Sequence, residues 1–268
     1  MIQLTQINQV ASEVIDLTAI IDTALCVGAG GSSGSLADKP ILKTADGRLV
    51  IPASQLKGRL RHECEKLTRA LGWPTCVSPV ATTMCPQRVG FDAKHPQDND
   101  HADRFHRVEY TVPGDTRHHC LICQLFGNPS LPARLQFSDL VCTTPPEDIP
   151  KVLRPGVSIN RRRRTAEDQK LYFLETSPAN AALKFSGVLA LNPALVQNRT
   201  DFAKALILAG LRHVHALGGG KSTGLGWLQW QSTAFDHPDI DQAAWDFLGR
   251  RELEPAAAQP SEIAKEPA

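Results

Sequence analysis

The chain of 268 residues contains no apolar run near the roughly 20 residues a membrane-spanning helix requires, so no membrane partner is expected. Its first residues, MIQLTQINQVASEVIDLT, lack a basic flank followed by an apolar stretch. No secretory leader is therefore expected, and the cytoplasm is the predicted compartment. Charge of one sign is also missing. Against 29 Lys and Arg stand 28 Asp and Glu, a formal net charge of +1, so the molecule as a whole is no electrostatic magnet for nucleic acid. Aromatic residues make up only 6%, too few for recognition by rows of base-stacking rings. In a reducing compartment the seven cysteines are not expected to pair as disulfides, so their spacing matters more than their number.

What is present is ordinary in bulk and uneven in placement. Hydrophobic residues at 42% and charged residues at 21% fit a soluble globular chain. Basic residues cluster at Lys57, Arg59 and Arg61 and again at Arg154 and Arg161 to Arg164, while acids gather at Asp98, Asp100 and Asp103 and from Asp236 to Asp241. Such clustering under a neutral total suits a subunit that touches both nucleic acid and protein.

The apolar stretch Leu17 to Val27 predicts a strand running into the loop VGAGGSSGS. Leu56, Leu60, Cys64, Leu67 and Leu71 recur at steps of three and four, which predicts a helix with Ser54 as N-cap and Gly72 and Pro74 as stop. Residues 73–132 hold no sustained period and are read as an insertion containing cysteines. Leu135 to Cys142 is strand-like, and Thr143 to Lys170 is expected to be irregular. Leu171 to Thr176 and Leu183 to Leu191 predict a hairpin around Ser-Pro-Ala-Asn. Thr200 is a candidate cap for a buried helix that ends at Gly218, and Leu225 to Gln231 predicts a last strand. The tail 254–268 is expected to be disordered. Without the insertions the order is strand, helix, strand, strand, helix, strand. The predicted fold is α+β, a ferredoxin-like (RRM-like) β-α-β-β-α-β core within one domain over 1–253. Its core segments are about 14–72, 133–144 and 171–235. The fold alone does not settle function.

Gly218-Gly219-Gly220-Lys221-Ser222-Thr223 imitates a nucleotide-binding P-loop, but the first glycine of that pattern falls on His215. A P-loop also follows a strand and opens a helix, and here the order is inverted. Capping needs one glycine, so the run through Gly224 and Gly226 points to a close approach by another backbone, polypeptide or RNA. Cys120 and Cys123 form half of a zinc-type pair, with Cys76 and Cys85 upstream and His118 and His119 as possible substitutes. Buried core thiols or a redox pair are the alternatives, although a redox Cys-x-x-Cys belongs in a βαβ setting. Cys26, Cys64 and Cys142 are expected in the core. Lys57 and Arg61 share a helix face and, with Ser54 and the helix N-terminus, could hold a phosphate. A solvated basic face is the plainer reading.

Four segments resemble one family. They are Ile51-Pro52-Ala53-Ser54-Gln55-Leu56-Lys57-Gly58-Arg59-Leu60-Arg61; Cys120-Leu121-Ile122-Cys123-Gln124-Leu125-Phe126-Gly127; Val157-Ser158-Ile159-Asn160-Arg161 followed by Phe173-Leu174-Glu175; and GGGKSTGLG. Together they resemble the RAMP superfamily of CRISPR-associated proteins, in particular the repeated backbone subunit of type III effector complexes, with Ala53 where the first motif usually has glycine.

The resemblance implies a subunit of an antiviral ribonucleoprotein that binds guide CRISPR RNA by its phosphates and forms a filament with other RAMP subunits. It also implies a thumb-like segment, placed here at 145–170. RNA contacts are expected from Ser54, Lys57, Arg59, Arg61, Arg154, Asn160, Arg161, Arg162, Arg163, Gly219, Gly220, Lys221 and Ser222. Structural zinc is expected at Cys76, Cys85, Cys120 and Cys123. By resemblance Asp38, which is otherwise read as a turn residue, would cleave guide-paired target RNA as an endoribonuclease, with a divalent cation such as magnesium. Two alternatives stay open: a non-catalytic RNA-binding scaffold of the same complex, and a zinc-stabilised protein-interaction domain.

Overall fold

The structure, a computed structural model, describes residues 12–28, 37–86, 110–112, 114–194, 200–236 and 239–249, with the side chains of all but 115–117. Expectations on most of the glycine loop, on Asp98, Asp100 and Asp103, and on the tail 254–268 lie outside the described residues. In chain order the first elements are β1 (Glu13–Ile21), β2 (Val50–Ile51), α1 (Ala53–Ala70), β3 (Thr111–Val112), β4 (Asp115–His118) and α2 (Leu121–Phe126). Then come β5 (Leu135–Phe137), β6 (Leu140–Cys142), β7 (Val152–Asn160), β8 (Thr165–Thr176) and β9 (Leu183–Leu191). The chain continues through α3 (Ala203–His213), β10 (Leu228–Gln231), α4 (Thr233–Asp236) and α5 (Gln242–Gly249).

An antiparallel sheet in the order β10-β1-β9-β6-β2 organises the molecule, with β5 also paired to β9. Mixed helices and antiparallel sheet make the fold α+β, as expected. Alternation along β1 buries Ile15, Leu17, Ala19 and Ile21 on one face. Opposite them in register, Leu183, Phe185 and Leu189 are buried too. The expected single strand 135–142 is broken in two. Pairing shifts from Phe137↔Leu189 to Val141↔Ser186, so one extra residue is bulged out. Ser138 and Asp139 fill that bulge and press against Gly187, where a Cβ would lie 2.6 Å from the Asp139 carbonyl oxygen.

That bulge also corrects the expected cap of α1. Ser54 lies inside the first turn, Pro52 holds the N-cap position, and no side chain of the cap itself bonds the helix. Instead Asp139 Oδ1 accepts from the Ala53 amide at 2.7 Å. A carboxylate from the sheet thus satisfies an amide the helix leaves unpaired and complements its positive end. Leu56, Leu60 and Cys64 form the buried stripe, and α3 crosses them closely at Gly210, whose Cβ would meet Cys64 Sγ at 2.5 Å. Burial pushes the Cys64 thiol well above its usual range. The helix α3 starts at Ala203 and is entered through Asp201, which accepts from the Ala203 amide, rather than through Thr200.

The largest departure concerns 145–176. The segment read as irregular is a long hairpin of β7 with β8, and β8 pairs with β7 rather than with β9. Pro155 and Gly156, poor strand formers, hid the alternation of Leu153, Val157 and Ile159. The C-terminal helix α5 was not anticipated. It seals one end of α1, with Phe247 stacked on Trp73 at 5.0 Å and the Trp73 indole donating to the Leu248 carbonyl.

Candidate metal centre and candidate nucleic-acid interface

Cys120 caps α2, and Cys123 lies one turn inside it. Every residue of α2 is buried, and Gly127 ends it at φ 80 with no room for a side chain against Ala133. The Cys-x-x-Cys therefore does open a helix after a strand. That strand, β4, belongs to an antiparallel hairpin with β3, so the βαβ setting of a redox pair is missing. Cys76, just after α1, and Cys85, after a short 3-10 turn, complete a buried group whose sulfurs all lie within 4.8 Å of one another. Cys76 and Cys123 sulfurs are 3.4 Å apart, Cys120 and Cys76 sulfurs 3.7 Å, and none is in a disulfide. Sulfurs held about 2.3 Å from one tetrahedral ion would be about 3.8 Å apart, so the spacing fits a four-thiolate site. Thiols of Cys120, Cys123 and Cys85 pull the Cys76 pKa down, while the same crowding drives Cys120 up. The Cys120 amide donates to Cys85 Sγ at 3.4 Å, a bond that favours a thiolate.

Arg61 leans over this group from α1. Its guanidinium bonds Glu65 Oε1 at 3.1 Å and the Gly127 carbonyl at 3.2 Å, and lies 3.9 Å from Cys123 Sγ. Burial opposes its charge, but Glu65 and the sulfurs of Cys123 and Cys76 outweigh that and raise its pKa. The structure thus separates Arg61 from Arg59, two positions earlier in the same motif.

Further round α1 from Arg61, Gln55, Gly58, Arg59 and His62, with Ser54 from the first turn, face Ala216, Leu217, Gly218 and Lys221 across a surface cavity of about 300 Å³. No carboxylate lines it. Arg59 is anchored by Glu63 at 2.9 Å, and Lys221 Nζ donates to the Gly218 carbonyl at 3.0 Å. The Nε of Arg59 and the Oε1 of Gln55 are buried without hydrogen-bond partners. Two of the four sequence motifs therefore meet at one cationic hollow.

The glycines nearby have a local reason. Gly218, at φ +86, would put a Cβ 2.6 Å from the Cys26 carbonyl oxygen, and Gly226, at φ +70, would put one 1.8 Å from that of Leu217. The backbone that comes close at these two positions is the chain's own. Gly219 and Gly220 are exposed, as is Ser222 in the turn that follows.

The remaining candidates lie apart from the cavity. Lys57 is half-buried on the Arg61 side of α1. Arg161, Arg162 and Arg163 sit exposed at the hairpin tip, where Asn160 Oδ1 accepts from the amides of Arg162 and Arg163. Arg154 is half-buried on β7. Asp38 lies at the root of the hairpin, exposed, and its Oδ2 accepts from the Phe173 amide at 2.7 Å while Lys39 bridges Leu174. Sequence reasoning missed Gln55 and His62, although His62 follows Ser54 and Gly58 at four-residue steps.

The family model of the RAMP superfamily matches residues 18–229. The chain belongs to the RAMP superfamily. It is a CRISPR-associated RAMP protein, and the match runs from β1 to β10 and takes in both the cysteine group and the cavity. Comparison with curated proteins gives no match to this chain. Among the described residues no helix of this RAMP protein is long and apolar enough to cross a membrane.

Proposed function

We propose that this RAMP protein is a backbone subunit of a type III CRISPR effector that holds guide RNA by its phosphates and assembles with sister subunits in the cytoplasm. The observation that carries this reading is the meeting of Ser54 and Arg59 with Lys221 around a cavity without carboxylates. An anionic backbone suits that lining, and phosphate contacts position without reading sequence. The sheet order β10-β1-β9-β6, with α1 and α3 in the two connections, supports a ferredoxin-like core. Arg161, Arg162 and Arg163 at the hairpin tip supply a second, exposed set of cations for RNA. The Cys76, Cys85, Cys120 and Cys123 group is read as a structural zinc site, with Arg61 offsetting its negative charge. The chain, as purified, should carry nucleic acid with raised 260 nm absorbance that high salt strips off. A clean protein profile and no RNA affinity at low salt would leave only the protein-interaction reading.

Cleavage of guide-paired target RNA is assigned to Asp38. Its carboxylate has roughly four acceptor positions, and the Phe173 amide uses one of them. The others can take a proton from a 2′-hydroxyl or help hold a divalent cation at the phosphate. The Phe173 bond also favours a second reading, a scaffold in which Asp38 only pins the segment after the glycine loop to β8. Asp38→Asn separates the two, because an amide oxygen can still accept from Phe173 while the charge is gone. Catalysis by Asp38 predicts binding without cutting in the assembled complex. Cutting at the normal rate would make the residue a clamp.

A further inference from the structure

Trp227 is out of place for a residue of its size. It is 54% exposed, the most exposed of the described tryptophans, although it lies between buried Gly226 and buried Leu228. Its backbone is firmly held. The Trp227 amide donates to Thr23 Oγ1 at 2.8 Å, Leu217 donates to the Gly226 carbonyl at 2.9 Å, and Leu228 donates to the His215 carbonyl at 3.0 Å. Those bonds make Ala216 and Trp227 a directly opposed antiparallel pair. Residues opposed in this way put their side chains on the same face, with Cβ atoms about 5 Å apart. Ala216 lines the cavity shared by Ser54, Arg59 and Lys221. An exposed indole on a firmly held backbone is therefore the cross-strand neighbour of a residue that lines a hollow suited to a phosphate.

We propose that Trp227 is a base-stacking platform: an unpaired RNA base lies on its indole while the adjoining phosphate sits in the cavity against Arg59 and Lys221. Any base has a π-face, so the platform adds affinity without choosing sequence. It complements the phosphate contacts with one neutral, salt-insensitive interaction. The low aromatic content excludes rows of such rings and leaves room for a single one.

The inference rests on the RNA-binding reading, and its test keeps the two apart. The probes are a labelled single-stranded RNA and a strand of the same length with abasic ribose-phosphate units, each titrated with the full chain at two salt concentrations. Wild-type protein should bind the base-carrying strand about tenfold more tightly. Trp227→Ala should remove that advantage and leave the abasic strand and the salt slope unchanged, while Trp227→Phe keeps most of it. Equal wild-type affinity for the two strands would overturn the proposal even if Trp227→Ala failed to fold. So would a loss of self-association by Trp227→Ala with RNA binding intact, which would assign the indole to a protein contact. Failure of wild-type protein to bind either strand would instead remove the RNA-binding reading itself, and this proposal with it.

Discussion

Helix α1 divides two regions of opposite character. On one side Arg61 closes over four buried sulfurs, and its charge is used up by Glu65, the Gly127 carbonyl and Cys123. On the other, Ser54, Gln55 and Arg59 border an open cavity without carboxylates, and Glu63 holds the Arg59 guanidinium at its edge. Two arginines two positions apart point to opposite sides of a helix, and here they meet different surroundings. A half-buried cation with three partners holds structure together. A cation kept at a surface hollow and only partly paired is available to a ligand.

If the contrast is right, removing the metal should have the largest effect. Strong chelation, or Cys85→Ser, should lower thermal stability by far more than the ~1 kcal/mol of a typical substitution, because a closed thiolate site contributes folding energy directly. Elemental analysis should find about one zinc per chain, the stoichiometry of one closed four-ligand site. A chelated chain that melts at the same temperature as the untreated one would remove the metal centre from the account.

Arg61→Ala comes next. It strips a half-buried cation from Glu65 and from the sulfurs, and should cost about 2 kcal/mol, the order of a lost charged hydrogen bond left unsatisfied. Cobalt loaded into the four-cysteine group should be released faster from the variant, read by the fading of its thiolate charge-transfer band. Unchanged stability and release would show that the 3.9 Å approach to Cys123 is incidental.

A smaller and different effect is expected from Lys57→Ala. Lys57 lies on the Arg61 side and does not line the cavity. Its loss should change RNA affinity less than the loss of Arg59 does, and stability by no more than about 0.5 kcal/mol, as for most surface changes. An affinity loss equal to that of Arg59→Ala would mean that both sides of α1 meet RNA.

The same contrast explains what could be read in the sequence. The grouping of four cysteines was legible by residue type alone, because few side chains ligate metals and their spacing survives in an irregular segment. The stripe Leu56, Leu60 and Cys64 was legible because burial imposes a helical period. The hairpin of β7 and β8 was not legible. In β7 the apolar Leu153, Val157 and Ile159 take the exposed positions, the reverse of an ordinary strand, and β8 is exposed along most of its length. Pro155 and Gly156 also interrupt the β-type residues. The cavity was half legible. Its basic residues were named, but which side of α1 meets the cysteine group and which meets residues 216–221 depends on tertiary packing. The cap of α1 was assigned to Ser54 because local chemistry favours it, and a bulge 86 residues away supplied Asp139 instead.

The account's central claim is that the cavity side of α1 holds RNA phosphates. Its most direct test is the slope of log affinity against log salt for single-stranded RNA, measured on wild type and on Arg59→Ala with Lys221→Ala. Loss of two phosphate contacts should flatten the slope by about 1.4 on a single strand and weaken binding similarly for unrelated sequences. A slope identical to wild type, with the variant folded, would contradict the claim.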